Sequence, residues 1–269
     1  MGRVVTAAVK DDPEISIIAG IDINTEQLAD YPVFASPDDL PKCSSLTKGS
    51  SLTEGNQPAG DGNDLTKSEA IALNADALLD FSSPSALDGL LAYGLSNNVP
   101  LVLCATGYTP EQILELEKAS EQIPVFRSGN MSVGINLLAD LVKRASAVLG
   151  GDFDIEIVER HHRRKIDAPS GTAIMLADAA GSALPDKPGY IFERESRRAP
   201  RGANEIGISA VRGGTIVGVH DVIFAGQDEV LEFRHTAASR DVFAVGAIRA
   251  AKFIAGKAPG LYNMGHVLT

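Results

Sequence analysis

The chain has 269 residues, of which 44% are hydrophobic and 22% charged, a composition that suits one large or two medium globular domains. Its formal net charge is -11. This argues against binding to nucleic acid or to an anionic membrane, because both need fields of Lys and Arg. Two cysteines, Cys43 and Cys104, lie far apart in no metal-ligand spacing, so we expect neither disulfides nor a metal site. Without a leader sequence or a membrane-spanning apolar run, a cytoplasmic protein is expected.

Residues 1–130 alternate between apolar runs of strand length and amphipathic segments of helical period. This alternation predicts a parallel sheet with helices on both faces, which is a Rossmann-like, doubly wound domain. The predicted helices span residues 1–12, 25–30, 83–97 and 109–120, and the predicted strands span residues 15–22, 75–82, 99–107 and 123–130.

Residues 42–68 interrupt that alternation with a segment dominated by Ser, Gly, Asn, Asp and Thr. Few of its side chains could enter a core, so we predict a disordered insertion. A tolerated surface insertion is the simpler interpretation, and a partner-binding loop is the alternative.

Residues 131–240 follow a different rhythm, in which strands succeed one another with few helices between them. A long helix at 131–150 is followed by predicted strands at 153–162, 205–212, 215–226 and 229–237, with a helix at 170–184. Tight turns at Gly213-Gly214 and at 226–228 are expected to join the last three strands. This pattern predicts an α+β domain with a mixed sheet. A closing helix at 239–256, capped by Ser239, belongs to a final segment, 241–269, that we expect to return to the first domain.

The segment 159–173, ERHHRRKIDAPSGTA, combines two devices that bind anions. A cationic strip leads into a predicted helix N-terminus, which Ser170 or Thr172 could cap and where Gly171 leaves the backbone N–H groups approachable. Two such devices side by side suit a ligand with two carboxylates. His161 and His162 add side chains that exchange protons near neutral pH. The strip alone could equally be a solvated basic face.

A second group of candidate residues follows the strands of the first domain, where open parallel sheets bind their ligands. An acid after the second strand commonly binds the adenosine ribose, and Asp22 fits that place. Each residue by itself is an ordinary turn former, but together they indicate a dinucleotide site. The residues are Asp22, Phe81, Cys104, Ala105, Thr106, Ser128, Gly129, Asn130 and Met131.

The segment 159–173 resembles the dihydrodipicolinate reductase family, whose signature E-x-H-H-x-x-K-x-D-x-P-S-G-T is complete here. The likeness continues through DFSSPSA, CATGYTPEQ, SGNMSVGIN, RGGTIVGVHDVIFAG and GLYNMGHVL, and covers almost all of the chain except 42–68. It implies hydride transfer from NADH or NADPH to a small cyclic dicarboxylate, 4-hydroxy-tetrahydrodipicolinate, on the route to lysine and diaminopimelate. It also implies a homotetramer assembled through the sheet of the 131–240 domain, which would bind the substrate.

The resemblance also implies roles for individual residues. His161 and Lys165 correspond to the residues that manage the transferred proton, and His162, Ser170, Gly171 and Thr172 to those that bind the substrate. Met1 joins the strand-end residues named above as a cofactor contact.

The family opens with a strand and a glycine-rich loop, of which this sequence has only Met1-Gly2-Arg3. Two hypotheses therefore stand: an active reductase, or a truncated, non-catalytic paralogue that serves as a binding or assembly module. Asp22 slightly favours NADH over NADPH, because a carboxylate would repel the 2′-phosphate.

Overall fold

The computed structural model describes residues 1–10, 12–26, 30–41 and 74–269. The predicted insertion at 42–68 and the central part of the helix predicted at 25–30 lie outside these ranges. Among the described residues, no helix combines the length and the apolar character needed to cross a membrane.

The first half of the chain contains the predicted alternation of helices and strands, with shorter strands than the sequence pattern indicates. Thr109 caps α3 as predicted, accepting the Gln112 N–H at 3.3 Å. Strand β2 was not predicted. The elements are α1 (Gly2–Val9), β1 (Gly20–Ile21), β2 (Val33–Phe34), β3 (Leu78–Asp80), α2 (Leu87–Asn97), β4 (Leu101–Leu103), α3 (Pro110–Ser120) and β5 (Pro124–Arg127).

The second half supplies the remaining elements, and three of them have no counterpart in the sequence prediction: β7, β11 and α7. Helix α6 begins two residues after the predicted cap, Ser239, whose hydroxyl accepts the Asp241 N–H at 3.1 Å. The elements are α4 (Val133–Leu149), β6 (Asp154–His161), α5 (Gly171–Gly181), β7 (Gly189–Ile191), β8 (Glu205–Arg212), β9 (Gly218–Ala225), β10 (Val230–Ala237), α6 (Asp241–Ile254), β11 (Gly260–Tyr262) and α7 (Met264–Leu268).

The parallel strands form two sheets. One has the order β11-β5-β4-β3, and the other consists of β1 and β2, with every pair parallel. The predicted Rossmann-like class is confirmed. The two sheets are separate because no described strand pairs with both β1 and β3. Strand β11 lies beside β5, with Gly260 opposite Pro124.

The mixed sheet predicted for the second half is confirmed, with the order β10-β9-β6-β8-β7. Strand β6 is parallel to β8 and antiparallel to β9. The prediction that the turn at Gly213-Gly214 joins neighbouring strands is wrong, because β6 lies between β8 and β9. The turn carries the chain across the end of β6 instead.

The core of the second half lies between this sheet and helices α4 and α5. Alternate residues of β6, including Ile155 and Ile157, pack with Phe224 of β9 and with Leu176 of α5. Burial of one such side chain contributes ~2 kcal/mol. The opposite face of the sheet carries the intervening residues, such as Val158, which remain half-buried.

Candidate functional site

Strand β6 divides the residues of the expected cationic strip between its two faces. Glu159 and His161 point toward the helices and are buried. Arg160 points to the opposite face, where its guanidinium pairs with Asp221 of β9. The strip is therefore not one positive surface, since successive strand residues face opposite sides.

Glu159 is fully buried, and both of its carboxylate oxygens accept hydrogen bonds. Arg212 donates to both oxygens at 2.7 Å, and the Ser170 N–H donates to Oε1 at 3.0 Å. Nδ1 of His161 lies 2.6 Å from Oε2. Burial alone would raise the pKa of Glu159, but the hydrogen bonds from Arg212, His161 and Ser170 outweigh burial and lower that pKa. The carboxylate is therefore a buried, fully partnered charge.

His161 lines a small cavity between the sheet and the helices. Its Nδ1 is engaged by Glu159, so Nε2 is the nitrogen left to face other groups. A Cβ atom placed on Gly218 would lie 3.2 Å from that Nε2, so the glycine keeps it uncovered. The cavity of about 40 Å³ has room for a few waters. It is lined by Asn130, Ile135, His161, Thr172, Val217, Gly218, His220, His235, Ala237 and Phe243.

Sequence reasoning missed two histidines of this cavity, His220 and His235, which are cross-strand neighbours on β9 and β10. His220 lies against His161, with ring centroids 5.2 Å apart, and its Nε2 is 3.0 Å from the Ser170 hydroxyl. Burial, followed by the charge of His161, lowers the pKa of His220 to about 4, so its imidazole is neutral at pH 7. Alternation along β9 could have found it, because His220 shares the inward face with Val222 and Phe224.

No described group of three or more His, Cys, Asp or Glu side chains has the arrangement to hold a metal ion.

The N-terminus of α5 has the features of an anion cradle. Of the two predicted caps, Ser170 caps the helix, because its hydroxyl accepts the Ala173 N–H at 3.2 Å. A Cβ on Gly171 would meet nothing within 4 Å, so this backbone is open to a ligand. Thr172 lines the cavity, and its hydroxyl accepts a hydrogen bond from Asn130 at 2.9 Å. This contact joins the predicted substrate residues to the predicted cofactor residues.

His162 and Lys165 lie on the loop between β6 and α5, outside the set of residues that line the cavity. The Lys165 ammonium pairs with Asp167 at 2.8 Å, and the Lys165 N–H donates to the His162 carbonyl at 3.1 Å. Burial, followed by the charges of Arg164 and Arg240, lowers the pKa of His162. The structure thus brings His161 and Thr172 together at the cavity, with His162 and Lys165 on the adjoining loop.

The predicted cofactor residues lie at the carboxyl ends of parallel strands. Asp22 follows β1, Phe81 follows β3, 104–106 follow β4 and 128–131 follow β5, while Met1 precedes α1. The Asp22 side chain is exposed, and its Oδ1 accepts the Asn24 N–H at 2.9 Å.

The strand ends also differ in burial. Phe81 and Cys104 pack against a cluster of buried residues that includes Met131 and residues of α6. Burial, reinforced by the charge of Asp80, raises the pKa of the Cys104 thiol. The thiol is therefore neutral, and we assign it a packing role at this strand end.

The N-terminus of α1 and the strand ends of the first half fit a nicotinamide dinucleotide. The first N–H groups of α1 lack intrahelical acceptors, and a Cβ on Gly2 would meet nothing within 4 Å, so the helix N-terminus can approach phosphate. The exposed Asp22 carboxylate suits a ribose, and Phe81 offers a half-buried apolar surface directly after β3.

Comparison with protein families gives two adjoining matches. The family described as dihydrodipicolinate reductase, N-terminus, matches residues 1–131, and dihydrodipicolinate reductase, C-terminus, matches residues 134–268.

Curated relatives are similar along the whole chain. A 4-hydroxy-tetrahydrodipicolinate reductase of Clostridium tetani is 43% identical over 268 residues, which are 100% of this chain and 92% of the relative. One of Caldanaerobacter subterraneus subsp. tengcongensis is 47% identical over 264 residues, covering 98% and 92%.

Among solved structures, the fold is similar to that of the dipicolinate-bound dihydrodipicolinate reductase from Paenisporosarcina sp. TG-14. The TM-score is 0.72 and the identity 23%, over 97% of this chain and 92% of that chain.

Proposed function

Because the chain belongs to the dihydrodipicolinate reductase family, we propose that it reduces 4-hydroxy-tetrahydrodipicolinate to tetrahydrodipicolinate with NADH or NADPH. The 4-hydroxyl leaves as water to give dihydrodipicolinate, whose unsaturated ring then accepts one hydride and one proton. This reaction serves lysine and diaminopimelate synthesis. The observation that carries the proposal is the placement of His161. Its free nitrogen lies in a cavity that Thr172 lines at the α5 N-terminus, and Asn130 connects that cradle with the end of β5.

When bound, the nicotinamide cofactor supplies the hydride. Residues of this chain would hold it from several sides: Asp22 at a ribose, the backbone after Met1 at phosphate, and the strand ends at the nicotinamide half. The strand-end residues are Phe81, Cys104, Ala105, Thr106, Ser128, Gly129, Asn130 and Met131.

The chain's own groups bind the substrate and supply the proton. We assign one substrate carboxylate to the backbone N–H groups of Gly171 and Thr172, which directly follow the capping residue Ser170. His161 donates the proton from Nε2 to the ring carbon that neighbours the reduced position. The Lys165 ammonium either returns a proton to His161 or balances the change in charge when His161 gives up its proton. His162 contacts the substrate from the loop. Proton transfer from a positioned side chain contributes ~10²–10⁴-fold to the rate.

Replacement of His161 by Gln tests the assignment. The kcat is expected to fall ~10²-fold or more, with unchanged dissociation constants for NADH and NADPH, because the cofactor residues are elsewhere. The control is His266→Gln, which alters an exposed histidine of α7. Near-wild-type turnover by His161→Gln would remove His161 from the mechanism.

Cofactor titration separates the two hypotheses of the sequence. An active reductase binds NADH or NADPH, and its fluorescence titration saturates. A folded chain that binds neither cofactor would instead be the non-catalytic binding or assembly module.

We further propose that the chain assembles as a homotetramer through the half-buried face of the mixed sheet. Val158 and Ile223 are half-buried there, beside Asp221, which pairs with both Arg160 and Arg234. An open sheet face of this kind gains most by burial against a second copy. Light scattering after size-exclusion chromatography is expected to show a tetramer, which Val158→Asp should dissociate. A monomeric wild-type protein would contradict the proposal.

The cytoplasm is the compartment we propose, since Cys104 is a free thiol and reduced thiols are the rule there. Fractionation of cells that express a tagged chain tests this, and recovery in a secreted fraction would contradict it.

A further inference from the structure

We infer that Glu159 is the positioning residue of the site: its carboxylate holds the proton donor and the anion cradle in one fixed arrangement and selects which nitrogen of His161 exchanges protons. This inference rests on the proposed function, because it assigns a partner to the proposed donor.

A single carboxylate joins three elements. Oε2 faces Nδ1 of His161 at 2.6 Å within β6, and Oε1 accepts the N–H of Ser170, the cap of α5, at 3.0 Å. Arg212, the last residue of β8, donates to both oxygens at 2.7 Å. Because Glu159 has no exposure to solvent, water cannot substitute for these partners. The distance from His161 to the substrate cradle is therefore set by Glu159.

The same contact determines the tautomer of His161. An ionised carboxylate only accepts hydrogen bonds, so the 2.6 Å contact requires a proton on Nδ1. In the neutral ring Nε2 is then without a proton, and in the charged ring Nε2 carries the proton that can be delivered. Gly218 leaves space beside this Nε2, where a Cβ would lie at 3.2 Å.

Several charged or titratable groups surround the His161 ring. On β6, the Glu159 carboxylate contacts Nδ1 of His161, and Arg212 of β8 pairs with the same carboxylate. On β9, His220 contacts the ring at 5.2 Å between centroids and is neutral at pH 7. His162 and Lys165 lie on the following loop.

Two further charged or titratable groups border this arrangement. Asp167, on the same loop, pairs with Lys165, and its carbonyl accepts from Arg212 at 2.7 Å. His235 neighbours His220 on β10. Glu159 contacts the His161 ring and has Arg212 as its ion-pair partner. Removal of Glu159 and removal of Arg212 should therefore shift the pH dependence of proton donation in opposite directions.

The first experiment compares Glu159→Gln with Arg212→Gln. In the pH profile of kcat/KM for the substrate, the limb that reports loss of the donor proton should move to lower pH in Glu159→Gln, because the imidazolium loses its counter-charge. It should move to higher pH in Arg212→Gln. In Glu159→Gln the kcat should also fall ~10-fold or more, as for other histidines that lose their orienting carboxylate.

A purely structural role predicts lower activity of both variants with the limb unmoved, and that result would overturn the inference. Circular dichroism and thermal melting confirm that each variant is folded. If Glu159→Gln does not fold, Arg212→Gln and the wild-type protein still decide the question.

The second experiment observes the tautomer of His161 directly in the wild-type chain, without a kinetic measurement. In ¹⁵N-labelled wild-type chain, the nitrogen chemical shifts of the neutral His161 ring should show a proton on Nδ1 and none on Nε2. The spectrum of His161→Gln assigns the resonances. The opposite tautomer would overturn the inference. A wild-type chain with the expected tautomer but no turnover would contradict the proposed function and leave the geometry intact.

Discussion

The two halves of the candidate site are built differently. In the substrate half, Glu159, His161, Ser170 and His220 are buried and bonded to one another. In the cofactor half, the Asp22 carboxylate is exposed and makes a local contact with the N–H of residue 24, whereas Asn130 reaches Thr172 of the substrate half. The proposed proton donor therefore lies in a preorganised interior, and the Asp22 carboxylate remains accessible to a ligand.

Strand length explains the difference. Strand β6 has 8 residues and neighbours on both sides, so it presents several inward positions to the helices above it. Strands β1 and β3 have 2 and 3 residues, so each contributes little more than its carboxyl end. A buried polar network needs adjacent inward positions, and only the long strands supply them.

The largest expected effect comes from Gly246 of α6, which supports the cofactor half. A Cβ there would lie 1.7 Å from the carbonyl oxygen of Met131. Because that atom belongs to the backbone, Gly246→Ala should lower the free energy of unfolding by at least ~3 kcal/mol, as measured by urea denaturation. The control is Gly171→Ala, whose Cβ meets nothing within 4 Å. It should keep the stability and raise the KM for the substrate. Equal stability of the two variants would contradict the prediction.

The next effect concerns acid stability and the substrate half. The pKa of His220 is about 4 in the folded protein and 6.5 as a free side chain. Between those values the unfolded chain binds a proton that the folded chain does not, so stability falls as the pH falls from 6.5 to 4. The difference between the two pKa values corresponds to a loss of ~3 kcal/mol in the free energy of unfolding. Thermal melts at several pH values should show a smaller acid loss in His220→Gln. The same loss in both proteins would show that His220 is not the buried neutral group.

A smaller effect is expected where the two halves meet. Asn130 donates to the Thr172 hydroxyl at 2.9 Å, and its own Oδ1 accepts the Ser132 N–H at 2.8 Å. Asn130→Ala should lower kcat/KM ~10-fold, equal to ~1.4 kcal/mol. In a double-mutant cycle, Thr172→Val should add little once Asn130 is absent. Fully additive effects would mean that the two halves act independently.

The smallest effect is expected in the exposed cofactor surface. Asp22→Asn removes the charge and keeps the size, so the affinity for NADH should fall a few-fold, less than ~1 kcal/mol, because water already solvates the carboxylate. The affinity for NADPH should rise relative to NADH, since a repelling charge is gone. Fluorescence titration of both cofactors measures the ratio, and an unchanged ratio would exclude Asp22 from the ribose site.

Much of the site could be predicted from the segment 159–173, because its chemistry is local. A strand end, a loop and a helix cap follow one another there, and His161, Ser170 and Thr172 lie where that order places them. The position of the candidate cofactor residues after strands of the first half was also predicted this way, since β/α alternation places the ends of parallel strands at one edge.

The contacts of other residues with the site could not be predicted from the local sequence. Arg212 and His220 reach the site from β8 and β9, and their contacts depend on β6 lying between those two strands. The hairpin expected at Gly213-Gly214 was wrong for the same reason: two long strands joined by glycines are usually neighbours, and nothing in their own residues records that a third strand pairs with both. The short strands β2, β7 and β11 have 2 or 3 residues each, too few for a periodic pattern.

By itself, the sequence determined the class of each half and the capping of α5 by Ser170, because periodicity and capping depend on residues only a few positions apart. The tertiary structure decided the strand order, the division of the cationic strip between two faces of β6, and the burial of Glu159 among its partners. Those features depend on which distant segments share a core, since the burial of a charge is stable only where partners from other strands converge on it.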